Sequence, residues 1–465
     1  LAFDYGVDED RFKGEDIVYP LDELSPYIVR DNNKCIQCMR CVAACKNVQS
    51  VSVIGPIKRG YHVHVGCAFE KSLADSPCVG CGQCIVACPV GALNEKSQID
   101  AVWDAISDPK KKVVFFTAPS IRATLGESFS MPIGTNVEGK MVAAIRRLGV
   151  DAVFNMDVTA DLTIMEEAHE FVERVKKKGT LPMFTSCCPG WIKFVEHYFP
   201  EMIPNLSTCK SPQQMFGAVL KSYYCQKTGI SPKDLFVVSV IPCTAKKFEV
   251  GREEQQTFDF QDVDVALTTR ELAKMIKGAG IKFTEIKNEA FDSPFHTASG
   301  GGAIFGATGG VMEAALRTAA TLLDGNFKKI DFQEVRGTEP IKEAVYEVAG
   351  IEVRVAVTSG LGNARKLLED IKAGKRQYHM VEVMACPGGC INGGGQPIQS
   401  DSVRNYTDLK GLRSKALYDY DKRSNLRVSH NSPVVKQIYD EFFDGPGKPR
   451  AHKLLHTTYV KREKF

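Results

Sequence analysis

The chain has 465 residues, of which 44% are apolar and 25% charged, and its formal net charge is +3. This length and composition predict a globular protein of two or three domains, and they exclude a disordered chain. The balanced charge does not favour a nucleic acid or an anionic membrane surface as partner. No apolar run approaches the length of a bilayer span and no secretory signal is visible, so we expect no membrane span. Because the chain opens at Leu1 rather than at Met, the question of an upstream segment stays open.

The sixteen cysteines are mostly clustered at metal-ligand spacing, unlike those of a small disulfide scaffold. This usage predicts a reducing compartment, most simply the cytoplasm. Cys67, Cys209 and Cys225 stand apart from the clusters, and we expect them to be buried as small apolar residues.

The chain divides into four predicted parts. Residues 1–30 are acidic and interrupted by proline, which indicates a lead-in or docking segment. Residues 31–95 form a cysteine-rich module, and residues 110–425 form a larger domain. Residues 426–465 have the pattern of a helix, a Gly/Pro turn and a basic tail, which we expect to wrap the outside of that domain.

The cysteine-rich module contains an internal repeat, KCIQCMRCVAAC and PCVGCGQCIVACP, each with the spacing Cys-x2-Cys-x2-Cys-x3-Cys. Three cysteines of one loop can cap a cubane while the fourth reaches the other cluster. The spacing therefore predicts two 4Fe-4S clusters, one on Cys35, Cys38, Cys41 and Cys88, the other on Cys78, Cys81, Cys84 and Cys45. Structural zinc is the alternative, but zinc sites do not carry this run twice with a trailing proline such as Pro89. Such a module transfers electrons and has no substrate pocket of its own.

Beyond residue 110, short apolar runs alternate with amphipathic stretches. The runs are VVFFTAPS, DAVFNM, LPMFTS, LFVVSVIPC, VRVAVTSG and HMVEVMAC. The alternation predicts an α/β domain with largely parallel strands, in which ligands bind beyond the carboxyl ends of the strands. Residues 118–120, 186–191, 242–246 and 386–390 all fall at such ends.

Three segments rich in glycine, proline and small residues carry further cysteines: TSCCPGW, IPCTAKK and EVMACPGGCINGGGQP. Thiolates gathered from three loops around one centre predict a large iron–sulfur cofactor. Its expected ligands are Cys188, Cys243, Cys386 and Cys390. The glycine runs at 300–302 and 393–395 lack the Gly-Lys-Ser/Thr ending of a phosphate loop, so we infer no nucleotide site.

With these segments the chain resembles the FeFe-hydrogenases, whose three signatures match TSCCPGW, PCTAKKFE and EVMACPGGCINGGGQP. The similarity runs from about residue 31 to the C-terminus, and HKLLHTTY resembles a segment that is a separate small subunit in some members. The resemblance implies an α+β ferredoxin-like two-cluster module followed by an α/β domain with largely parallel sheets around a buried H-cluster. That cofactor is a 4Fe-4S cubane joined through one thiolate, here Cys390, to a diiron subsite with CO, CN and a bridging dithiolate.

The resemblance also implies roles for residues around the cluster. Cys187 is then a free thiol that exchanges a proton with the cofactor, and Lys246 pairs with an anionic cyanide ligand. Without the resemblance, Cys187 is a small buried residue and Lys246 a solvated one. Further residues are expected to line the pocket: Ala118, Pro119, Ser120, Gln213, Ile241, Ala245 and Met384.

A proton path is implied along the helix predicted from near Asp161 to around Gly179. Glu167, Glu170 and Arg174 share one face of this helix, which by itself indicates only a charged, solvated surface. By resemblance, the path runs from Cys187 through Glu167, Ser207 and Glu170, with Arg174 near the exit.

Three positions depart from the commonest family pattern. Ile241 stands where many members have Met, Ala245 where Ser is frequent, and Pro387 where His is common. All three changes make the surroundings of the cluster less polar or less polarizable. We hypothesise that they shift the cluster potential and the balance between hydrogen oxidation and proton reduction.

The predicted function is the reversible interconversion of dihydrogen with protons and electrons. The expected redox partner is ferredoxin or another electron carrier, or a nicotinamide- or formate-oxidising subunit of a larger complex. The alternatives are a low-turnover hydrogen sensor, a non-catalytic iron–sulfur protein of cluster assembly, and a simple electron-transfer scaffold. The retained Cys187, Glu167 and Glu170 speak against a sensor, and the complete set of signature thiols speaks against an assembly protein.

Overall fold

The structure, a computed structural model, describes residues 4–8, 11, 14, 17–324, 332–348 and 350–464. Part of the predicted lead-in segment, residues 1–3, 9, 10, 12, 13, 15 and 16, lies outside the described residues. In the part that is described, Asp22 and Arg30 exchange two backbone hydrogen bonds (3.0 and 2.9 Å) and form an ion pair (3.1 Å). This end of the segment therefore belongs structurally to the cysteine-rich module, and its docking role stays a prediction.

The cysteine-rich module contains two small antiparallel sheets and two short helices. Strand β1 (Ile28–Arg30) pairs with β4 (Leu93–Glu95), and β2 (Gly55–Ile57) pairs with β3 (His64–Gly66). Helices α1 (Arg40–Ala43) and α2 (Gln83–Ala87) each begin after a left-handed residue, Met39 (φ 59°) and Gly82 (φ 69°). Each cysteine loop thus turns sharply into a helix, which carries the last cysteine of its run away from the other three.

Two four-stranded sheets form the larger domain. The first, in the order β6–β5–β8–β9, is parallel throughout and consists of β5 (Lys112–Thr117), β6 (Ala152–Asn155), β8 (Leu235–Ile241) and β9 (Val265–Thr268). The second, in the order β10–β11–β12–β7, consists of β7 (Met183–Phe184), β10 (Ile341–Val348), β11 (Ile351–Ser359) and β12 (Met380–Met384). Only β10 is antiparallel to its neighbour. The predicted fold class, a ferredoxin-like module followed by an α/β domain with largely parallel sheets, is confirmed.

Helices cover the sheets, which explains why strands such as VVFF are apolar at successive positions. The helices of the larger domain and the C-terminal segment are α3 (Ile99–Ser107), α4 (Ile121–Thr124), α5 (Glu138–Arg146), α6 (Asp157–Lys176), α7 (Pro189–Tyr198), α8 (Pro212–Val219), α9 (Cys225–Thr228), α10 (Ala245–Val250), α11 (Thr269–Gly278), α12 (Gly300–Ala303), α13 (Gly310–Asp324), α14 (Leu361–Lys372), α15 (Asp401–Tyr406), α16 (Leu409–Arg423), α17 (Pro433–Ile438) and α18 (Pro449–Leu455). Within the described ranges, none of the helices combines the length and apolarity needed to cross a bilayer.

The bounds predicted for helix α6 are wrong at the N-terminus by about one turn. Strand β6 ends at Asn155, and the helix begins at Asp157, whose backbone N–H is held by the Asn155 side chain (3.0 Å). It ends at Lys176, because Lys178 adopts a left-handed conformation (φ 51°) before Gly179. The Asn155 side chain therefore stabilises the first turn of a helix that follows the strand directly. Apolar periodicity alone does not indicate this start.

The C-terminal segment does more than wrap the outside of the larger domain, because part of it is buried in the domain's core. Ala451 and Leu455 of α18 are fully buried in the same apolar core as β5 and β8. Cys209 and His456 form an antiparallel bridge, with backbone hydrogen bonds of 2.8 Å on either side. The segment thus contributes side chains to the interior beside helix α6.

The close approach of the two domains depends on a glycine. A Cβ on Gly394 would lie 2.4 Å from the carbonyl oxygen of Cys81 and 2.6 Å from the Cα of Gly82. We expect Gly394→Ala to lower the thermal unfolding midpoint, with a loss of about 2 kcal/mol, because the two loops must separate. Gly278→Ala, at the end of α11 with no atom within 4 Å, is the matched control and should not destabilise. Equal midpoints for the two variants would contradict this close contact.

Candidate active site

A cavity opens where strands β5, β7, β8 and β12 end, as predicted for ligand sites in such sheets. It has about 730 Å³ of space not filled by protein atoms, part of which is open to solvent. The predicted site residues that line it are Ala118, Pro119, Ser120, Cys187, Cys188, Gln213, Ile241, Cys243, Ala245, Lys246, Met384, Cys386 and Cys390. The structure therefore brings all of the predicted cluster and pocket residues of this domain to one place.

Four of these residues are the thiols expected to hold the large cofactor. Cys188 precedes helix α7, Cys243 follows β8, and Cys386 and Cys390 follow β12. Burial raises the pKa of the Cys243 thiol to about 12, and the neighbouring Cys188 adds to this effect. Burial likewise raises the pKa of Cys386 well above its ordinary value, and the other three thiols contribute. Without a cation these thiols stay protonated, and a bound cation would let them ligate as thiolates, so the set is suited to a metal centre.

Backbone N–H groups point at the sulfurs of this site. The N–H of Ala385 lies 3.4 Å from the sulfur of Cys188. Backbone hydrogen bonds from Lys246 and Ala245 lower the pKa of Cys243, opposing the effect of burial. Such N–H···S contacts stabilise negative charge on cluster sulfurs, and an all-thiol ligand set is typical of iron–sulfur sites. The residues present therefore fit a cluster.

The cysteines of the ferredoxin-like module form two groups. Cys35, Cys38, Cys41 and Cys88 line one small cavity. In the second group, burial raises the pKa of Cys84, and the nearby Cys78 and Cys45 raise it further. Burial also raises the pKa of Cys81, and here Cys84, Cys78 and Cys45 add to the effect. These are the two sets that the spacing predicts to share clusters.

The second group reaches the large cavity. Cys81 lies on the wall of that cavity, and the thiol of Cys386 is 4.0 Å from the Cys81 carbonyl oxygen. The hydroxyl of Thr244, next to Cys243, donates to the carbonyl of Gly80 (2.6 Å). The module and the larger domain therefore meet where electrons would have to pass.

On another side of the cavity lie Cys187 and Glu167. Burial raises the pKa of the Cys187 thiol well above its ordinary value, and Glu167 acts in the same direction. The Glu167 side chain is 1% exposed, and only weak contacts from the Ser207 side chain and the Ser186 backbone oppose the effect of burial on its carboxyl. Burial raises its pKa from 4.5 to about 8, so this carboxyl holds a proton at neutral pH.

The remaining residues of the predicted proton path also lie together. The Ser207 hydroxyl donates to Oε2 of Glu170 (2.9 Å), and Arg174 binds Oε1 of Glu170 (2.6 Å). Arg174 also donates to the carbonyls of Leu206 (2.7 Å) and Asn205 (3.2 Å), which fixes its position. Glu170 and Arg174 are each 14% exposed, whereas Ser207 is fully buried. The series thus leads from the interior towards the surface.

Lys246 has a partner that the sequence reasoning missed. Its ammonium is buried and lies 2.7 Å from Oε2 of Glu249, one turn further along α10. The same oxygen accepts hydrogen bonds from Ser211 (2.7 Å) and from Gln213 (3.0 Å). The spacing of three residues in KKFE could have indicated this pair. Glu249 therefore holds the ammonium at the cavity wall.

Other wall residues were not predicted either. Met156, Pro212 and Phe305 line the cavity, as do Gly306, Gly389 and Gly393. Phe305 follows the glycine run at 300–302, where a Cβ on Gly302 would lie 2.5 Å from the Asp157 carbonyl oxygen. The glycine run could have indicated a wall of the cavity, whereas no sequence pattern marks Met156 as a lining residue. Outside the site, Cys67, Cys209 and Cys225 are buried, as predicted.

Models of known families match three stretches of the chain. The model described as iron only hydrogenase large subunit, C-terminal domain, matches residues 111–394, more than half of the chain. The chain belongs to the FeFe-hydrogenase family. The iron hydrogenase small subunit model matches residues 407–462, and the ferredoxin-like domain model of NADH-quinone oxidoreductase subunit 3 matches residues 25–94.

Full-length relatives agree with this assignment. The NADP-reducing hydrogenase subunit HndD of Solidesulfovibrio fructosivorans is 47% identical over 472 residues, which span 100% of this chain and 80% of the relative. Iron hydrogenase 1 of Clostridium pasteurianum is 45% identical, with 95% and 77% covered. A solved variant of the [FeFe]-hydrogenase HydA1 from Chlamydomonas reinhardtii is 38% identical with a TM-score of 0.70, covering 79% of this chain and 99% of that one. The chain is therefore an oxidoreductase that acts on dihydrogen.

A weaker relative is not named as a hydrogenase. The cytosolic iron-sulfur assembly component 3 of Bos taurus is 30% identical over 413 residues, with 83% of each chain covered. This level of identity is well below that of HndD, so the assembly alternative has less support.

As a member of this family, the hydrogenase carries an H-cluster and ferredoxin-like 4Fe-4S clusters. The four converging thiols and the cavity beyond them fit the cubane and the diiron subsite. Ile241 and Ala245, which replace the usual Met and Ser, face this cavity. Pro387 is absent from its lining, so its effect on the cluster has less structural support.

The raised pKa of Glu167 has a consequence for stability. The folded protein holds this proton up to about pH 8, whereas an ordinary carboxyl releases it near 4.5, so the parent loses stability as pH rises between these values. A glutamine does not titrate. We therefore expect Glu167→Gln to gain stability relative to the parent by up to about 1.4 kcal/mol per pH unit in this window.

The measurement is anaerobic thermal unfolding of parent and variant across this pH range. Glu173→Gln, on an exposed part of the same helix, is the control, and its difference from the parent should stay constant above pH 5 or so. A pH-independent difference for Glu167→Gln would show that this carboxyl is ionised in the folded protein.

Proposed function

We propose that this hydrogenase interconverts dihydrogen with protons and electrons reversibly, with Cys187 as the residue that passes protons to and from the cofactor. The carrying observation is the position of Cys187 on the wall of a cavity that four other thiols share. When bound, the H-cluster supplies the metal site where dihydrogen is split or formed. The four thiols Cys188, Cys243, Cys386 and Cys390 are its proposed ligands.

The proton path that we propose runs from Cys187 through Glu167 and Ser207 to Glu170. A relay group must be able both to take and to give a proton, and a carboxyl whose pKa lies near the working pH does so most easily. Glu167, with a pKa raised to about 8, meets this condition. Glu170 is placed to receive the proton because it accepts the Ser207 hydroxyl hydrogen bond.

Lys246 is proposed to bind the anionic cyanide of the diiron subsite. Its ammonium is buried at the cavity wall and paired with Glu249 on the far side. An ammonium in these apolar surroundings is a strong donor to an anion. The ion pair with Glu249 stabilises the buried ammonium of Lys246, because an unpaired buried charge is strongly unfavourable.

Electrons are proposed to travel through the two ferredoxin-like clusters to a redox partner. The set with Cys81 adjoins the large cavity, whereas Cys38 of the other set is exposed. The similarity to HndD and to a domain of NADH-quinone oxidoreductase supports a nicotinamide-linked partner subunit. A ferredoxin-type carrier is the second candidate, and nothing comparable supports a formate-oxidising subunit.

We place the enzyme in the cytoplasm because no two of its sixteen cysteines, all of which the structure describes, form a disulfide, which is typical of a protein from a reducing compartment. A hydrogen-sensing role is the alternative function, and the intact series Cys187, Glu167 and Glu170 supports catalysis instead.

The first test is dihydrogen evolution from reduced viologen under strict anaerobiosis, after the diiron cofactor has been loaded. We expect Cys187→Ala to lose activity by a factor of about 100 or more, because a general acid–base group is removed. Cys225→Ala, which removes a buried thiol away from the cavity, is the control and should keep its activity. Infrared bands of CO and CN show whether each variant has retained the cofactor.

Two outcomes would overturn parts of the proposal. Full activity in Cys187→Ala would remove this thiol from the proton path. Negligible turnover in the loaded parent would favour the sensor.

The departures at the cavity wall give a separate prediction. Restoring the common residues with Ile241→Met and Ala245→Ser should shift both the potential of the cofactor and the ratio of oxidation to reduction current in film voltammetry, because a thioether and a hydroxyl replace alkyl groups. Ile276→Met, a buried change in α11, is the control. An unchanged ratio and potential would exclude these two positions as the source of catalytic bias.

A further inference from the structure

A second hydrogen-bonded branch leaves Glu170 on the side of the C-terminal segment. The hydroxyl of Thr208 lies 3.3 Å from Oε2 of Glu170 and 2.7 Å from Nδ1 of His456. The other ring nitrogen of His456, Nε2, lies 3.1 Å from Oε2 of Glu166. Glu170 is thus connected through one hydroxyl to an imidazole that comes from the far end of the chain.

The branch is held in place by backbone and side-chain contacts. Thr457 donates its N–H to the carbonyl of Thr208 (2.8 Å), so residues 208 and 456 face each other across an antiparallel bridge. Glu166, on helix α6, is fully buried and also accepts the Tyr439 hydroxyl (2.6 Å) and the Gly447 N–H (2.9 Å). The geometry of the imidazole is therefore fixed on both sides.

His456 also has a route to solvent. Its side chain is 6% exposed, and its ring stacks on that of His452 at a centroid distance of 4.6 Å. His452 is exposed. A proton held on the ring of His456 is thus one residue away from water.

Arg174 and His456, the two groups beside Glu170, differ in their ability to accept a proton. A guanidinium has five donors, no acceptor and a permanent charge, so it can hold Glu170 in place but cannot take a proton from it. A neutral imidazole has one acceptor and one donor, and its charge changes near neutral pH. Of the two groups that flank Glu170 on its outer side, only the imidazole can act as a proton acceptor.

We propose that His456 is a proton outlet for Glu170, so that the small-subunit-like segment supplies a proton-relay residue. The inference rests on the proposed path through Glu170. Protonated Glu170 gives its proton to the Thr208 oxygen, while Thr208 gives its own hydroxyl proton to Nδ1 of neutral His456. The products are the Glu170 carboxylate and an imidazolium whose Nε2–H donates to Glu166. The imidazolium returns to the neutral form when Nδ1 or Nε2 gives a proton to water that reaches the ring, whose side chain is 6% exposed.

The groups that face His456 are consistent with this role. Glu166 and Glu170 offer two carboxylates, and Tyr439 and Cys209 are neutral donors beside them. His452 is the titratable group that its own helix places against the ring. After the transfer, the carboxylates of Glu166 and Glu170 balance the charges of Arg174 and of the imidazolium.

The test uses the loaded holoenzyme in the direction of dihydrogen oxidation, in which protons must leave. We expect His456→Gln and Thr208→Val each to lower the rate roughly tenfold, less than the loss of a sole relay group. The double variant should be no slower than either single one, because both changes interrupt the same branch. Lys453→Gln, a change at an exposed position of the same helix, is the control for structural damage.

A pH profile separates a relay from a structural role. The relay needs a neutral imidazole, so the ratio of parent rate to His456→Gln rate should rise with pH. A constant ratio, additive losses in the double variant, or parental rates in both single variants would overturn the proposal.

The variant Glu170→Gln tests whether the proposed proton path runs through Glu170 at all, separately from the branch to His456. If Glu170→Gln keeps the parental rate, the proposed path through Glu170 is wrong, and the branch fails with it. If Glu170→Gln is inactive while His456→Gln and Thr208→Val are unaffected, only the branch is overturned, and Glu170 must pass its proton elsewhere.

Discussion

Desolvation of thiols is the physical constraint on which this structure depends. Four cysteines from three loops face one apolar cavity, and burial raises the pKa values of their thiols. These thiols can ligate only as thiolates, and a bound cation is needed to compensate for that buried negative charge. The strand ends and glycine turns that hold these loops are therefore arranged around the needs of a cluster, and the stability of the loops is coupled to its presence.

The same constraint joins the two domains. Residues 80–82 of the ferredoxin-like module touch the loops after β8 and β12, through the Thr244 hydroxyl and the close approach of Gly394. Behind this contact, the buried ammonium of Lys193 lies 3.1 Å from the hydroxyl of Tyr27, which in turn donates to the carbonyl of Cys78 (3.0 Å). Because electron transfer requires short distances, this contact must be rigid, and polar side chains from both domains are buried to make it so.

The sequence allowed the strands around the cavity, the cysteine sets and the pocket lining to be predicted, since each depends on local apolar runs and ligand spacing. Strands β9 and β10 were missed. Strand β9 is short, and β10 (IKEAVYEV) lies at the edge of its sheet and carries three charged residues without a regular apolar pattern. Glu249 was missed because a carboxylate near lysines resembles a surface pair. The pairing of Thr208 with His456 could not be foreseen, because it joins residues that are 248 positions apart.

The proposed routes for protons and for electrons leave the cavity on different sides. Cys386 faces Cys81 and the ferredoxin-like module, whereas Cys187 faces Glu167 and helix α6. Lys246 and Glu249 form a buried ion pair at the cavity wall, so the lysine charge there is balanced. Burial raises the pKa of Glu167, and the Ser207 side chain and the Ser186 backbone only partly oppose this effect. A buried carboxyl that keeps its proton can also pass it on, which is the property that the proposed proton path requires.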